Sequence, residues 1–324
     1  MTPTCDMSVQ LAGVRLPNPV MTASGCAANG PELHRFFDVA QLGAFVTKTV
    51  MGLPRSGRGT PRMAETPAGM LNSIGLQGPG IDAFVDHDLR WLRSVGARVI
   101  VSVAGHDPEE FGLVTRVLRN SGAFDTVVAV EVNISCPNVA NRGLVFACDP
   151  VSAAQVVAEV RRELPAAVPA FAKLSPDVTD LVAIAGAALR AGADGLTMIN
   201  TTLGMVIDTD RLRPHLAGVT GGLSGPAIRP IAVRAVWQVH AAMRAGALPQ
   251  APIIGVGGVR NGLDALQFLA AGAAAVQVGT ATFNDPTAPI RVRDQLAAEV
   301  TDRGFDRLAE LVGIAHTRLD GSAS

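Results

Sequence analysis

Lysine is almost missing from this chain. Of 27 basic residues only Lys48 and Lys173 are lysines, and the other 25 are arginines. A drift toward arginine on the surface, where either cation serves, would explain the count. The two survivors, however, fall inside apolar, strand-like segments. A compact ammonium on a thin stem fits where a planar guanidinium does not, and an unpaired lysine is hard to bury. Both are therefore expected to be functional. Long apolar runs are missing too: none reaches the ~20 residues that a membrane helix needs. The opening MTPTCDMSVQ has no basic segment followed by an apolar run, so no secretory signal is expected. A formal net charge of −1 leaves no electrostatic footprint for nucleic acid or an anionic membrane. The four cysteines (Cys5, Cys26, Cys136, Cys148) show no CxxC, and the six histidines no HxxxH, so no metal site is expected. Without an export signal, the cysteines are expected to be reduced thiols in a cytoplasm.

What is present is an alternation. Eight apolar runs, at 20–24, 44–48, 98–103, 127–133, 170–174, 195–199, 253–256 and 275–278, read as strands, and most are continuous enough for parallel strands covered on both faces. Amphipathic segments at 107–119, 150–162, 180–191, 230–244 and 261–271 read as helices. Asp107 and Asp149, each followed by proline, mark helix starts; Gly192 and Gly272 mark stops. This predicts an α/β fold, a (β/α)8 TIM barrel formed by one domain over residues 1–324, with a doubly wound open sheet as the alternative. Residues 7–15 read as an N-terminal hairpin capping the barrel bottom. The Gly- and Pro-rich stretches 51–80 and 201–230 read as inserted loops at the top, and 321–324 as a disordered tail.

Barrel active sites form at the C-terminal ends of the strands. The residues there are Ser24, Lys48 and Thr49, Asn133 followed by Ser135, Cys136 and Asn138, Lys173, Asn200 with Thr201, Gly257 and Gly258, and Gly279 with Thr280. The last two pairs follow strands seven and eight, where barrels build phosphate sites from backbone N–H groups, and they read as such a site, with plain turn glycines as the alternative. GVGG does not extend to GxGxxG, because Arg260 stands where the third glycine would be, which argues against a Rossmann dinucleotide site. Cys5 and Cys26 read as inert core thiols, and core packing is the default for Cys148. Cys136 lies in a polar loop at the rim, where a thiol can act as a general base. No histidine flanks it, which disfavours a Cys–His hydrolase.

The segments NISCPN, KTV followed by PR, GMLNSIGLQGPG, AKLSP, INTTLGM, GGLSGPAIRPIA, GVGG and VQVGTA together resemble class 1 dihydroorotate dehydrogenases, in the right order and over nearly the whole chain. Cysteine in NISCPN is the class 1 feature, and GMLNSIGLQGPG with GGLSGPAIRPIA is most similar to the class 1B catalytic subunit. That resemblance implies FMN held by Ser24, Lys48, Thr49, Ser102, Asn133, Lys173, Ile199, Gly225, Gly257, Gly258, Gly279 and Thr280. It implies dihydroorotate bound by Lys48, Asn72, Ser73, Ile74, Gly75, Leu76, Asn133, Asn138, Asn200 and Thr201. Cys136 would take the C5 proton while the C6 hydride goes to the flavin, with Lys173 near flavin N1 and O2. Electrons would pass to NAD+ through a partner subunit carrying FAD and a [2Fe–2S] cluster, in a heterotetramer built on a homodimer. The family has asparagine where this chain has Ser102, whose reach to the flavin is shorter. The alternatives are a fumarate-dependent class 1A enzyme, a dihydropyrimidine dehydrogenase subunit, and a non-catalytic flavin electron-transfer module. The complete Asn/Lys/Cys rim argues against the last.

Overall fold

In a computed structural model, which describes residues 5–135 and 146–321, the chain opens with an antiparallel hairpin of β1 (Val9–Leu11) and β2 (Val14–Leu16). Then come β3 (Val20–Thr22), β4 (Phe45–Val46), β5 (Met63–Thr66), β6 (Gly69–Asn72), β7 (Val99–Val103), β8 (Val127–Asn133) and β9 (Ala170–Leu174). β10 (Gly195–Met198), β11 (Thr202–Gly204), β12 (Ile207–Asp208), β13 (Arg213–Pro214), β14 (Gly221–Ser224), β15 (Ile253–Val256) and β16 (Ala275–Val278) complete the set. Eight strands form one parallel sheet in the order β3-β16-β15-β10-β9-β8-β7-β4. They are the eight apolar runs expected from the sequence. Every residue of β7 and of β9 is buried, which is why those runs do not alternate.

The sheet closes on itself between β3 and β4. Met21 and Ala44 form a parallel bridge, and the Gly43 N–H donates to Val20 O at 2.9 Å. The Thr22 hydroxyl accepts from the Val46 N–H at 2.8 Å and donates to Val46 O at 3.0 Å, so one side chain completes the seam where β4 is only two residues long. Thr22 is fully buried. Thr22→Val keeps the shape but strands a buried donor and a buried acceptor, so it should cost about 2–4 kcal/mol of stability. A urea midpoint equal to that of the parent chain would contradict this.

Helices Pro108–Arg119, Pro150–Glu163, Leu181–Arg190, Arg229–Arg244 and Gly262–Ala271 return the chain between strands, and Ala288–Asp302 follows β16. Asp107, Asp149, Asp180 and Asn261 cap four of them, each accepting from the N–H three residues on, which satisfies a donor the first turn leaves free. The N-terminal hairpin buries Val9, Leu11 and Leu16 in the main core, next to the entry of β3.

Two expectations need correction. The stretches 51–80 and 201–230 are not simply loops. They pair with each other as a four-stranded antiparallel sheet, β11-β14-β6-β5, beside a separate hairpin of β12 and β13. Both stretches leave the C-terminal ends of barrel strands, so this sheet stands at that end of the barrel. Residue 321, expected in a disordered tail, ends helix Ile314–Gly321 instead, and residues 322–324 lie outside the described residues.

Candidate active site

The strand ends enclose a cavity of about 550 Å3. Its floor is charged. Register pairs Asn133 with Lys173 and Lys173 with Thr197, so these side chains share the inward face of the barrel. Lys173 Nζ donates to Ser24 Oγ at 2.9 Å and to Glu131 Oε1 at 3.2 Å. Lys48 lines the same cavity against Gly25. The two lysines that survive in the chain thus meet in one place.

One wall is a network of amides and hydroxyls. Asn133 Nδ2 donates to Thr49 Oγ1 at 3.1 Å, and Thr49 Oγ1 lies 2.9 Å from Ser102 Oγ. Ser135 Oγ donates to Asn133 Oδ1 at 3.1 Å. Asn200 Nδ2 reaches both Asn133 Oδ1 (3.2 Å) and Ser135 Oγ (2.6 Å). Each asparagine therefore arrives oriented, while one N–H of Asn133 has no acceptor among the described residues. Asn72, at the end of β6, is tied to Gly222 O at 3.3 Å.

The opposite end is made of backbone. Gly257 and Gly258 follow β15 with φ of 136° and 75°, a region other residues reach only with strain. The N–H groups of Gly257, Gly258, Gly279 and Thr280 make no hydrogen bond among the described residues. Between the two ends lies a third feature. Gly75 and Leu76 both have positive φ (77° and 52°). The Ile74 carbonyl is taken by the Arg58 N–H at 2.9 Å and the Gly75 carbonyl by Arg55 Nε at 3.4 Å. The N–H groups of residues 74–76 have no acceptor among the described residues. Successive free amides in this conformation form an anion-binding nest.

Of the residues expected at the site, Ser24, Lys48, Thr49, Asn72, Ile74, Gly75, Leu76, Asn133, Lys173, Ile199, Asn200, Thr201, Gly225, Gly257, Gly258, Gly279 and Thr280 all line this cavity. Ser73 and Ser102 do not. Alternation after β6 turns Ser73 toward Gly218, and Ser102 is fully buried behind Thr49. Ser102 thus meets the cavity only through Thr49 and Asn133. Cys136 and Asn138 lie outside the described residues. Cys148 is exposed rather than packed in the core, because it ends a short turn just before the Asp149 cap. Cys26, expected as an inert core thiol, lines the cavity, but burial pushes its thiol up to about 11 despite the opposing charges of Lys173 and Lys48. Glu131 was missed. Its signal was present: a carboxylate two residues before Asn133 in a strand must face the same way.

The dihydroorotate dehydrogenase family model matches residues 6–300. The chain belongs to the dihydroorotate dehydrogenase family. Among similar proteins are the catalytic subunits of dihydroorotate dehydrogenase B (NAD(+)) from Geobacter sp. (strain M21) and from Trichlorobacter lovleyi. Each is 48% identical to this chain, over 308 and 307 residues respectively, with 95% of this chain and 97% of the relative covered. The subunit of that name from Geobacter sulfurreducens is 47% identical over 308 residues, with the same coverage. Among the described residues no group of three or more His, Cys, Asp or Glu could hold a metal ion, and no helix is long and apolar enough to cross a membrane.

Proposed function

We propose that this chain oxidises dihydroorotate to orotate in pyrimidine biosynthesis, with FMN in the cavity and Cys136 as the base. The observation that carries the reading is the nest at residues 74–76 facing a cavity with two lysines and a wall of asparagines. A six-membered ring bearing amides and one carboxylate asks for that set. The family and the names of its relatives point to the same substrate.

The residues present fit FMN. Four amides, at Gly257, Gly258, Gly279 and Thr280, have no partner among the described residues and offer donors without side-chain charge, which suits a phosphate. The cavity volume lies within the ordinary range for cofactor sites, about 300–1,000 Å3. When bound, FMN supplies the acceptor for the hydride that leaves substrate C6. The protein does the rest. The amides of residues 74–76 hold the substrate carboxylate. Asn72, Asn133 and Asn200 present donors and acceptors to the ring's amide edges, and Asn138 adds another contact. Lys48 adds positive charge. The sulfur of Cys136 takes the proton from C5. The relatives are named as NAD(+)-dependent catalytic subunits, which supports a partner that carries electrons onward. We assign that partner FAD and a [2Fe–2S] cluster, the assembly a heterotetramer around a homodimer, and its location the cytoplasm.

Anaerobic mixing of the flavin-loaded protein with dihydroorotate tests the reading directly. The visible flavin band should bleach without any partner present. A flavin that stays oxidised with dihydroorotate but bleaches with dihydrouracil would replace the substrate, and turnover with fumarate alone would replace the acceptor.

A further inference from the structure

Glu131 places a charge where charge is costly. It lies in the middle of β8 with no exposed surface. Its Oε1 accepts from Lys173 Nζ at 3.2 Å and its Oε2 from Gln277 Nε2 at 2.9 Å, so the carboxylate bridges β9 and β16 across the barrel. Gln277 Oε1 and Thr197 Oγ1, on β16 and β10, are buried without a hydrogen-bond partner among the described residues. Barrel interiors are ordinarily filled by branched apolar side chains. Replacing a buried ion pair by well-packed apolar residues is often neutral or stabilising, so filling space does not account for Glu131. Nor does substrate binding, because Glu131 does not line the cavity. What Glu131 touches is Lys173, the cation at the cavity floor.

We propose that Glu131 is a positioning residue that fixes the Lys173 ammonium against the cavity and offsets its charge, and so sets the reduction potential of the bound flavin. This rests on the reading that the cavity holds FMN. Reduction leaves negative charge on a flavin ring, and a fixed cation beside the ring favours it. A carboxylate in contact with that cation works the other way, and burial leaves the opposition poorly screened. Ser24 and Glu131 together hold the ammonium, and Gln277 holds the carboxylate, so the balance is built into the barrel rather than left to solvent.

The test is potentiometric titration of the FMN-loaded chain and its variants at one fixed pH. Glu131→Gln keeps the shape and removes the charge. It should raise the potential by about tenfold in the reduced-to-oxidised equilibrium, which is about 30 mV for a two-electron couple. In a Lys173→Met background the same substitution should shift the equilibrium by less than about twofold, because a fully buried carboxylate deprived of its cation takes up a proton and leaves little charge to remove. Glu131→Asp keeps the charge but draws it back from Lys173. It should move the potential in the same direction by about twofold or more, and it stands in if the neutral variant does not fold. An unchanged or lowered potential in Glu131→Gln or Glu131→Asp overturns the proposal, as does an equal shift with and without Lys173. A merely structural Glu131 would alter melting temperature and leave the potential where it was. If the parent chain takes up no FMN, the cavity reading fails and this inference with it; if every variant loads, the potentials judge Glu131 alone.

Discussion

Cys136→Ala should slow flavin reduction by dihydroorotate about 10²–10⁴-fold, the usual worth of a positioned general base, while FMN content stays at the parent level. The expectation follows from where the chain is anchored just before it. Asn133 ends β8 at the mouth of the barrel, and Ser135, next to Cys136 in sequence, is locked to Asn133 and Asn200. Flavin uptake should survive because the proposed phosphate amides belong to the ends of β15 and β16. Cys26, which lines the cavity, is a poor substitute: burial pushes its thiol up to about 11, far from the thiolate at neutral pH. Cys26→Ala should therefore leave the rate within about twofold, far below the effect of losing a general base. The pH profile gives a second check. An unperturbed thiol titrates near ~8.5, so the parent rate should climb with pH through that region and the Cys136→Ala rate should not. Stopped-flow reduction that is equally fast in both, or a loss in Cys26→Ala instead, would move the base elsewhere.

The barrel could be read from the sequence because both faces of its strands are covered, and burial on two sides removes every polar residue except those with a task. That is also why scarcity of lysine was informative: Lys48 and Lys173, the only two, both reach the cavity. The same logic applied to Glu131 would have found it, since VVAVEVN carries one charge in an otherwise apolar run and shares its parity with Asn133. The sheet over the rim was harder. β6 pairs with β14, and Asn72 bonds to Gly222, a partner 150 positions away, so no local period announces the pairing. Only the β5–β6 hairpin left a trace, two short runs separated by Pro67 and Ala68. Ser102 shows the limit of carrying a residue over by resemblance. With a short side chain at a fully buried position it hydrogen-bonds Thr49, and the hydroxyl of Thr49, in turn accepting from Asn133, faces the ligand space in its place.

Gly75→Ala should lower kcat/KM for dihydroorotate about 10²–10³-fold, chiefly through KM. Gly75 sits at φ 77°, a conformation that penalises any Cβ, and the added carbon would stand 2.8 Å from Arg58 Cγ and 2.9 Å from the Arg58 backbone nitrogen. A side-chain carbon can swing away; the backbone nitrogen cannot, because its N–H is bonded to Ile74 O at 2.9 Å. The backbone around Gly75 must therefore shift, and the three amides of residues 74–76 lose their common aim. Hydrogen bonds to a charged group are worth about 1.5–3 kcal/mol each, so losing one or two accounts for the expected range. The effect should depend on the substrate's charge. The methyl ester of dihydroorotate has no carboxylate for the nest to hold, so its already weaker turnover should change by less than about fivefold, a loss smaller than that of one charge-assisted hydrogen bond. Flavin content should not fall, since the amides at Gly257, Gly258, Gly279 and Thr280 are untouched. Equal losses for acid and ester would mean that Gly75 only supports the shape of the rim, and the carboxylate would have to be held by Lys48 alone.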